Sequence, residues 1–344
     1  MPELAIIADD LTGALDAAAP FAMRSISTAV ALSPAALGAA IAGGARVIGV
    51  STDSRDLPPA EARVAVAAAL AALPAGTRLF KKVDSRLKGQ IAAELDAIPH
   101  RKSLVIPAIP GFGRWVREGW LGGFGVAAPV AIAPRLGAHA GRASIPDIET
   151  DADISAALGT AHDLPIGARG LAEAMARAMA PDAPAPDVSL RHRHAYLVIG
   201  STDPITLAQL AQLRAADPGL AYLAAPNGVG PATLPAPARL TVLQATPGAT
   251  AADGKSVANA LADTLKRLAP PPGALLVLSG GATAQVLLER LGVRVLDLIG
   301  EALPGLPLAQ GGGLTFVTKS GGFGGPETLQ HLLHPFHAEE ERLA

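Results

Sequence analysis

The chain has no cysteine, which excludes disulfides, a thiolate nucleophile and cysteine-ligated zinc. Aromatic residues make up 3% of its 344 residues, too few for the stacking platforms that bind single-stranded nucleic acid. The formal net charge of −2 gives no field that would attract a polyanion or an anionic membrane. We therefore expect no nucleic-acid partner, and any recognition of phosphate has to be local.

The sequence also has few features of an exported or membrane protein. Its first ten residues lack a basic segment and end in Asp9-Asp10, unlike a signal peptide. Two uncharged stretches, 25–45 and 269–288, have the length of a membrane helix, but prolines and paired glycines interrupt both. We expect a cytoplasmic protein with no membrane partner.

Hydrophobic residues make up 50% of the chain and are mostly aliphatic, which suits helices packed on buried parallel strands. Short apolar runs alternate with Ala- and Leu-rich helical stretches, the βαβ pattern of a parallel sheet. The runs span 4–8, 27–32, 46–51, 78–83, 103–108, 195–200, 220–225, 239–245, 274–280, 293–300 and 314–321. The clearest helical stretches span 58–73, 170–180, 204–214 and 255–268.

A segment rich in proline and charge at 181–194 has the composition of a linker. The sequence therefore predicts an α/β protein of two domains, 1–185 and 186–344, each with a mostly parallel sheet flanked by helices. Residues 115–142 follow no clear pattern, and we interpret them as a loop-rich flap.

Three predicted strands of the first domain end in polar clusters. The candidate residues are Asp9, Asp10 and Thr12 after the first strand, Asp53 and Arg55 after the third, and Lys82, Asp84 and Ser85 after the fourth. Ligands collect at the carboxyl ends of strands in open α/β sheets, so these side chains would line one crevice. Their chemistry suits a small polyhydroxylated acid, because the cations can bind its carboxylate and the acidic groups its hydroxyls.

Each cluster also has a simpler interpretation. Asp10 or Thr12 can cap a helix that starts near Gly13, and a charged turn can be a solvated loop. One cap does not require two acids, however, and adjacent carboxylates can bind metal, orient hydroxyls or act as a general base. The rigid loop 107–113 ends in Arg114, which we expect to bind an anionic group.

Four strand-end loops of the second domain are rich in glycine and hydroxyl groups. The candidate residues are Ser201, Gly280, Gly281, Thr283, Gly305, Lys319, Ser320 and Gly321. Backbone N–H groups and a helix N-terminus can bind phosphate there, although each loop alone also fits a tight turn. Residues 248–256, GATAADGKS, have one residue too many for a P-loop, so we expect a helix start near Asp253.

The order of these motifs resembles the four-carbon acid sugar kinase family. The motifs are IIADDLTGA, STDSR, KKVDSRLKG, PAIPGFGR, GST, LSGGAT, GEALPG and TKSGGFG, which span both halves of the chain. The resemblance implies an N-terminal domain that binds a tetronate-like acid, a C-terminal domain that binds ATP, and an active site in the cleft between them. It assigns the candidate residues of the first half to the acid and those of the second half to ATP.

Several positions depart from the usual pattern of that family. They are Arg86, Lys88, Gln90 and Gly322, where the family has Thr, Arg, Asn and Asn. Residues 115–145 also differ from the family. An added arginine beside Asp84 can change which acid is bound or fill part of its pocket.

The resemblance implies a kinase that uses ATP and Mg²⁺ to phosphorylate a hydroxyl of threonate, erythronate or 3-oxo-tetronate. Such transfer needs positioning and charge neutralisation, so we expect Asp10 or Asp84 to act as the base and Lys319 to contact a phosphate. A non-catalytic sensor of sugar acid or nucleotide is the alternative, and a dehydrogenase is disfavoured because no GxGxxG follows a strand of the second domain. The metal ligands and the oligomeric state stay open, and a homodimer is compatible with the sequence.

Overall fold

The computed structural model describes residues 1–190, 192–234 and 238–337. The chain forms two compact units, one of Met1–Pro186 with Val295–Gly300 and the other of Asp187–Arg294 with Glu301–Ala344. The sequence division had placed Val295–Gly300 in the second domain, whereas these residues contact the first unit. No helix among the described residues is both long enough and apolar enough to cross a membrane.

The first unit contains a parallel sheet in the order β2-β3-β1-β4-β10-β5-β9. Its strands are β1 (Leu4–Ala8), β2 (Thr28–Ala31), β3 (Val47–Ser51), β4 (Arg78–Lys82), β5 (Ser103–Ile106), β9 (Ala143–Ser144) and β10 (Leu164–Gly167). Residues Val295–Leu298 add an antiparallel strand beside β2. Every residue of the central strand β1 is buried, as expected for a parallel strand with both faces covered.

Helices connect these strands, and two of them, at 59–72 and 169–179, match the predicted helical stretches 58–73 and 170–180. The helices of this unit are α1 (Leu11–Ala22), α2 (Leu37–Ala42), α3 (Pro59–Ala72), α4 (Ile91–Leu95), α5 (Ala133–Leu136), α6 (Asp151–Leu158) and α7 (Arg169–Met179). Short 3₁₀ helices span Pro34–Ala36, Pro110–Phe112 and Gly137–Arg142. Helix α6 begins with a capping box in which Thr150 and Asp153 satisfy each other's backbone N–H groups.

The segment interpreted as a loop-rich flap contains a small antiparallel sheet followed by short helices, so the prediction that it is rich in loops is wrong. Its strands are β6 (Arg114–Arg117), β7 (Trp120–Gly123) and β8 (Val130–Ala131), paired in that order. A Cβ at Gly123 would lie 2.0 Å from the carbonyl oxygen of Gly113, so these glycines permit close strand contact. Such glycines break the apolar alternation by which strands are recognised in a sequence.

The second unit has a second mostly parallel sheet, ordered β12-β13-β11-β14-β17-β16, in which β16 and β17 are antiparallel. Its strands are β11 (Ala195–Ile199), β12 (Ala221–Pro226), β13 (Leu240–Thr246), β14 (Leu275–Ser279), β16 (Leu306–Gly311) and β17 (Leu314–Lys319). Strand β15 (Val295–Leu303) begins in the first unit, and its last residues, from Glu301, belong to the second. Its helices are α8 (Pro204–Ala216), α9 (Gly254–Leu268), α10 (Gly281–Arg290) and α11 (Thr328–His337). The predicted fold class is therefore confirmed.

The helix start expected near Asp253 is confirmed. Asp253 is the N-cap of α9, and its side chain accepts a hydrogen bond from the Ser256 backbone N–H at 2.9 Å. The GATAADGKS segment thus begins a capped helix.

Candidate active site

The polar clusters of the first unit meet because their strands are neighbours in register. Ala8 of β1 lies opposite Ser51 of β3 and Lys82 of β4, so the chain leaves all three strands at one edge of the sheet. The loop after β3 is bound to the end of β1, since the Ser54 N–H donates to the Asp9 carbonyl at 2.9 Å. This register is the physical basis of the predicted convergence.

Arg55 links the two carboxylates that follow β1. Its Nε and Nη2 donate to Oδ2 and Oδ1 of Asp9, each at 2.9 Å, and its Nη1 donates to Oδ2 of Asp10 at 2.7 Å. Its Nη2 also lies 4.0 Å from Oδ2 of Asp84. The guanidinium therefore offsets part of the negative charge of the acidic pair, and its contact with the substrate stays a prediction.

Asp9 is buried, with 2% of its surface exposed, yet its surroundings favour the charged carboxylate. Burial by itself raises the pKa of Asp9. The hydrogen bonds from Arg55 and the charges of Lys81, Arg55 and Lys82 outweigh burial and hold this pKa below its ordinary value. A carboxylate held in its charged form in this way suits binding and positioning better than proton abstraction.

Asp10 does cap helix α1, as the simpler interpretation proposed. Its Oδ1 accepts the Gly13 N–H at 2.7 Å, and its Oδ2 accepts the Thr12 hydroxyl at 2.7 Å. The same Oδ2 accepts the hydrogen bond from Arg55. Asp10 thus caps the helix and also belongs to the acidic cluster.

Asp84 organises the turn that follows β4. Its Oδ1 accepts the backbone N–H groups of Arg86 at 2.9 Å and of Lys88 at 3.3 Å, while its Oδ2 faces Arg55. The turn uses left-handed backbone at Gly89, φ 90°, and a Cβ there would lie 2.9 Å from Oδ2 of Asp9. Glycine at this position allows the turn to approach the buried carboxylate.

Arg114 and Ser85 lie together beside Asp84. Nη1 of Arg114 donates to the Ser85 hydroxyl at 2.6 Å, and its Nε donates to the Phe124 carbonyl at 2.9 Å. Burial and the nearby positive charge of Arg86 lower the pKa of Arg114, whereas the charges of Asp84 and Asp16 oppose that change. Arg114 is thus a half-buried cation next to a second cation, an environment that favours a bound anion.

Two other candidates of this unit have different surroundings. Lys82 is buried, its Nζ donates to the Val83 carbonyl at 2.9 Å, and a Cβ at Gly13 would lie 3.3 Å from that nitrogen. It therefore lies beside the start of α1, near Asp9. Asp53 is exposed and takes left-handed backbone, φ 49°, so it forms the bend of the loop that carries Arg55.

The glycine-rich loops of the second unit also converge, because β11, β14 and β17 are adjacent. Ile199, Ser279 and Lys319 end these strands in register. A Cβ at Gly200 would lie 2.0 Å from the Thr283 hydroxyl oxygen, and a Cβ at Gly321 would lie 2.4 Å from that of Ser201. Close approach of the three loops thus requires glycine.

Helix α10 begins at Gly281, directly after Gly280, whose φ of 107° only glycine adopts readily. Its first N–H groups therefore lie in the loop that joins β14 to α10, the arrangement that binds phosphate in many α/β proteins. Gly305, at the turn between β15 and β16, contacts Phe323 of the last loop, since a Cβ there would lie 2.3 Å from the ring. Ser320 in that loop is exposed.

Lys319 has a different environment from the phosphate contact that we expected. Its buried ammonium donates to the Thr206 hydroxyl at 2.9 Å and to the carbonyls of Ser320 at 3.0 Å and Gly321 at 3.1 Å. These bonds use all three of its N–H groups. Burial lowers the pKa of Lys319 to about 8, and the charge of Asp203 opposes that change. The side chain stabilises the last loop from beneath, and its contact with a phosphate stays a prediction.

Sequence reasoning assigned no individual role to several residues that hold these loops. In the first unit they are Thr52, Ser54, Lys81 and Glu94, and in the second Asp203, Thr206 and Gln209. Gln209, for example, donates to the carbonyls of Phe323 at 3.0 Å and Gly325 at 2.7 Å. A polar residue within an apolar helical stretch, such as Glu94 or Gln209, is the signal that could have identified them.

The described residues contain no group of three or more His, Asp or Glu side chains able to hold a metal ion. Mg²⁺ in phosphoryl-transfer enzymes is commonly held by one or two carboxylates together with substrate phosphates. Asp203 fits such a contribution, because a Cβ at Gly322 of the glycine loop would lie 3.2 Å from its Oδ2.

Comparisons with known proteins agree with this two-unit arrangement. A family model described as a sugar-binding N-terminal domain matches residues 4–213, and one described as a nucleotide-binding C-terminal domain matches residues 231–329. A solved structure from Salmonella typhimurium LT2 has a TM-score of 0.74 and covers 98% of this chain and 99% of its own. At 18% sequence identity this similarity concerns the fold alone.

Two relatives match nearly the whole chain, and both are named D-threonate kinase. The protein from Bordetella bronchiseptica is 31% identical over 396 residues, which cover 95% of this chain and 96% of the relative. The protein from Cupriavidus necator is 30% identical over 402 residues, with the same coverage of 95% and 96%. Since the first family model covers more than half of the chain and these relatives match almost all of it, the chain belongs to the four-carbon acid sugar kinase family.

Proposed function

We propose that this protein is an ATP-dependent kinase that phosphorylates a hydroxyl of a four-carbon sugar acid, with D-threonate as the first acid to test. The observation that carries the proposal is the cluster of Asp9, Asp10, Arg55 and Asp84 at the carboxyl ends of three adjacent strands. It lies in the part of the chain that matches a sugar-binding domain. Two relatives that align over 95% of this chain are named D-threonate kinase.

The substrate carboxylate is assigned to Arg114, because Arg55 is engaged by Asp9 and Asp10. A guanidinium has five N–H donors, and Arg114 uses two of its nitrogens on Ser85 and on a backbone carbonyl. The positive charge of nearby Arg86 adds to the attraction for an anion. The hydroxyls of the acid would then extend toward the carboxylates around Arg55.

Asp84 is the better candidate for the general base. The hydroxyl of Thr12, the N–H of Gly13 and the guanidinium of Arg55 occupy both oxygens of Asp10. Oδ1 of Asp84 holds its turn, whereas its Oδ2 lies 4.0 Å from Arg55, beyond hydrogen-bond distance. That oxygen can therefore accept a hydrogen bond from a substrate hydroxyl and take its proton during transfer.

The nucleotide is assigned to the three converging loops after β11, β14 and β17. Their backbone N–H groups and the N-terminus of α10 would bind the phosphates. Asp203 would hold Mg²⁺, which when bound with ATP would supply charge neutralisation at the transferred phosphoryl group. The buried Lys319 ammonium holds the last of these loops through its bonds to the Ser320 and Gly321 carbonyls.

The proposal is tested by ATP consumption with Mg²⁺ against D-threonate, L-threonate, D-erythronate and 3-oxo-tetronate. We expect turnover on one of these acids, a loss of kcat of about 100- to 10,000-fold in Asp84→Asn, and a smaller loss in Asp10→Asn. The matched control is Asp96→Asn, an exposed carboxylate that pairs with His139 outside the cluster. Unchanged turnover in Asp84→Asn would reject this base, and no turnover on any acid by the unmodified protein would reject the substrate class.

A further inference from the structure

A buried ion pair lies directly beneath the acidic cluster and has no part in the reaction proposed above. Nζ of Lys81 lies 3.0 Å from Oε2 of Glu94, and 0% and 1% of the two side chains are exposed. Lys81 also donates to the Ile7 carbonyl of β1 at 3.3 Å. A buried ion pair of this kind costs desolvation energy and contributes little net stability. In some proteins such a pair serves instead to specify the local geometry.

The ion pair is connected to the loop that carries Arg55. The hydroxyl of Ser54 donates to Oε1 of Glu94. The hydroxyl of Thr52 lies 2.6 Å from that of Ser54 and donates to the Ala8 carbonyl at 2.9 Å. Glu94 of α4 therefore holds, through side chains, the segment 52–55, which we call the Arg55 loop.

The Arg55 loop is held on its other side by the backbone of β1. The N–H groups of Ser54 and Arg55 donate to the Asp9 carbonyl at 2.9 and 3.3 Å. Asp53, directly before Ser54, takes left-handed backbone that a non-glycine residue adopts at an energetic cost. A bend of this kind persists where surrounding contacts fix it, and the Ser54–Glu94 bond is such a contact.

We infer that Glu94 and Lys81 are positioning residues, which fix the Arg55 loop through Ser54 so that Arg55 aligns Asp9 and Asp10 for the sugar acid. Glu94 accepts from both Lys81 and Ser54, so the loop after β3, strand β4 and helix α4 meet at one carboxylate. Neither Glu94 nor Lys81 contacts solvent, which leaves substrate contact to the residues above them.

The direct test compares Ser54→Ala and Glu94→Gln with the unmodified protein. Ser54→Ala removes the bond to Glu94 and leaves the buried ion pair intact, whereas Glu94→Gln keeps the side-chain shape and removes the charge. We expect kcat/KM for the acid to fall roughly 10- to 100-fold in both, mainly through KM, because a small misplacement of binding groups has effects of this size. The KM for ATP should stay unchanged, because the nucleotide loops belong to the second unit.

Hydrogen exchange gives a readout that needs no turnover. Amides of residues 52–57 should exchange faster in both variants than in the unmodified protein, while those of β11, β14 and β17 should not change. The matched control is Glu61→Gln on the exposed face of α3, which should alter neither exchange nor kinetics.

The kinetic measurements rest on the proposed kinase function, whereas the hydrogen-exchange measurements do not. If the unmodified protein phosphorylates none of the acids, the proposed function fails and exchange alone decides the positioning role. Unchanged exchange over 52–57 in Ser54→Ala would overturn the inference. It would also be overturned if Glu94→Gln lost activity only in proportion to its folded fraction, with KM for the acid unchanged, because that result indicates a purely structural ion pair.

Discussion

Replacing Arg55 by methionine should destabilise the first unit, because it leaves a buried carboxylate without its main partner. Asp9 is 2% exposed and receives two hydrogen bonds at 2.9 Å from that guanidinium. Removal of one member of a buried ion pair costs about 3–5 kcal/mol. The lower end applies, since 25% of the Arg55 side chain is exposed and Lys81 and Lys82 still attract Asp9.

A loss of about 3 kcal/mol corresponds to a fall in Tm of roughly 6–12 °C for a unit of this size. Intrinsic fluorescence reports this transition, because Trp115 and Trp120, the only two tryptophans of the chain, both belong to the first unit. Arg46→Met is the matched control. Its Nε donates to Glu3 at 2.7 Å, but both side chains are nearly half exposed, so Tm should stay close to that of the unmodified protein.

The pH dependence separates loss of charge from loss of packing. The pKa of Asp9 is lowered in the folded protein, so its contribution to stability is present above the unfolded value of about 3.9 and is lost as pH falls through the folded pKa. Without Arg55, burial dominates and raises this pKa, so Arg55→Met regains stability as Asp9 takes up a proton. The gap in Tm between the two proteins should therefore narrow from pH 7 to pH 4. A gap that is constant over this range, or equal to that of Arg46→Met, would refute the reasoning.

Two further predictions concern the second unit. Because the folded pKa of Lys319 is about 8 and that of an unfolded lysine about 10.4, the stability of this unit should rise between these pH values, and denaturant titrations of Lys319→Met should lack that rise. Gly200→Ala should raise the KM for ATP, because its Cβ would lie 2.0 Å from the hydroxyl oxygen of Thr283, whereas Gly254→Ala, with open space around its Cβ, should not. Equal KM values for the two alanine variants would contradict the close approach of these loops.

The strands were predictable where burial on both faces produces a continuous apolar run. Residues Leu4–Ala8 and Leu275–Ser279 are entirely buried, and both lie within predicted runs. Strand β10 was missed because Leu164–Gly167 is four residues long and includes a proline and a glycine. Strand β16 was missed because it leads into Gly311, Gly312 and Gly313, a composition typical of a loop.

The convergence of polar residues at strand ends was also predictable, since parallel neighbours in register end at one edge. The pairing of Arg55 with the two aspartates of the cluster could not be predicted in this way. The sequence suggested that Arg55 binds a substrate carboxylate, whereas the structure places it on Asp9 and Asp10. Which partner a guanidinium takes depends on the bend at Asp53, where left-handed backbone turns the loop back onto β1. No spacing rule reports that bend, because left-handed backbone is uncommon for a residue other than glycine and is not marked by the residue type alone.

Lys81 and Lys82 are neighbours in the sequence, but their side chains have different surroundings in the structure. Successive residues of a strand point to opposite faces of its sheet. Lys82 therefore lies by the start of α1 near Gly13, whereas Lys81 lies by Glu94 of α4. Both charges lower the pKa of Asp9, but Lys81 does so from a position with no solvent exposure. Asp9 is thus held in its ionised form by positive charges on both faces of the sheet, which accounts for a charged residue at each of two consecutive positions in a buried strand.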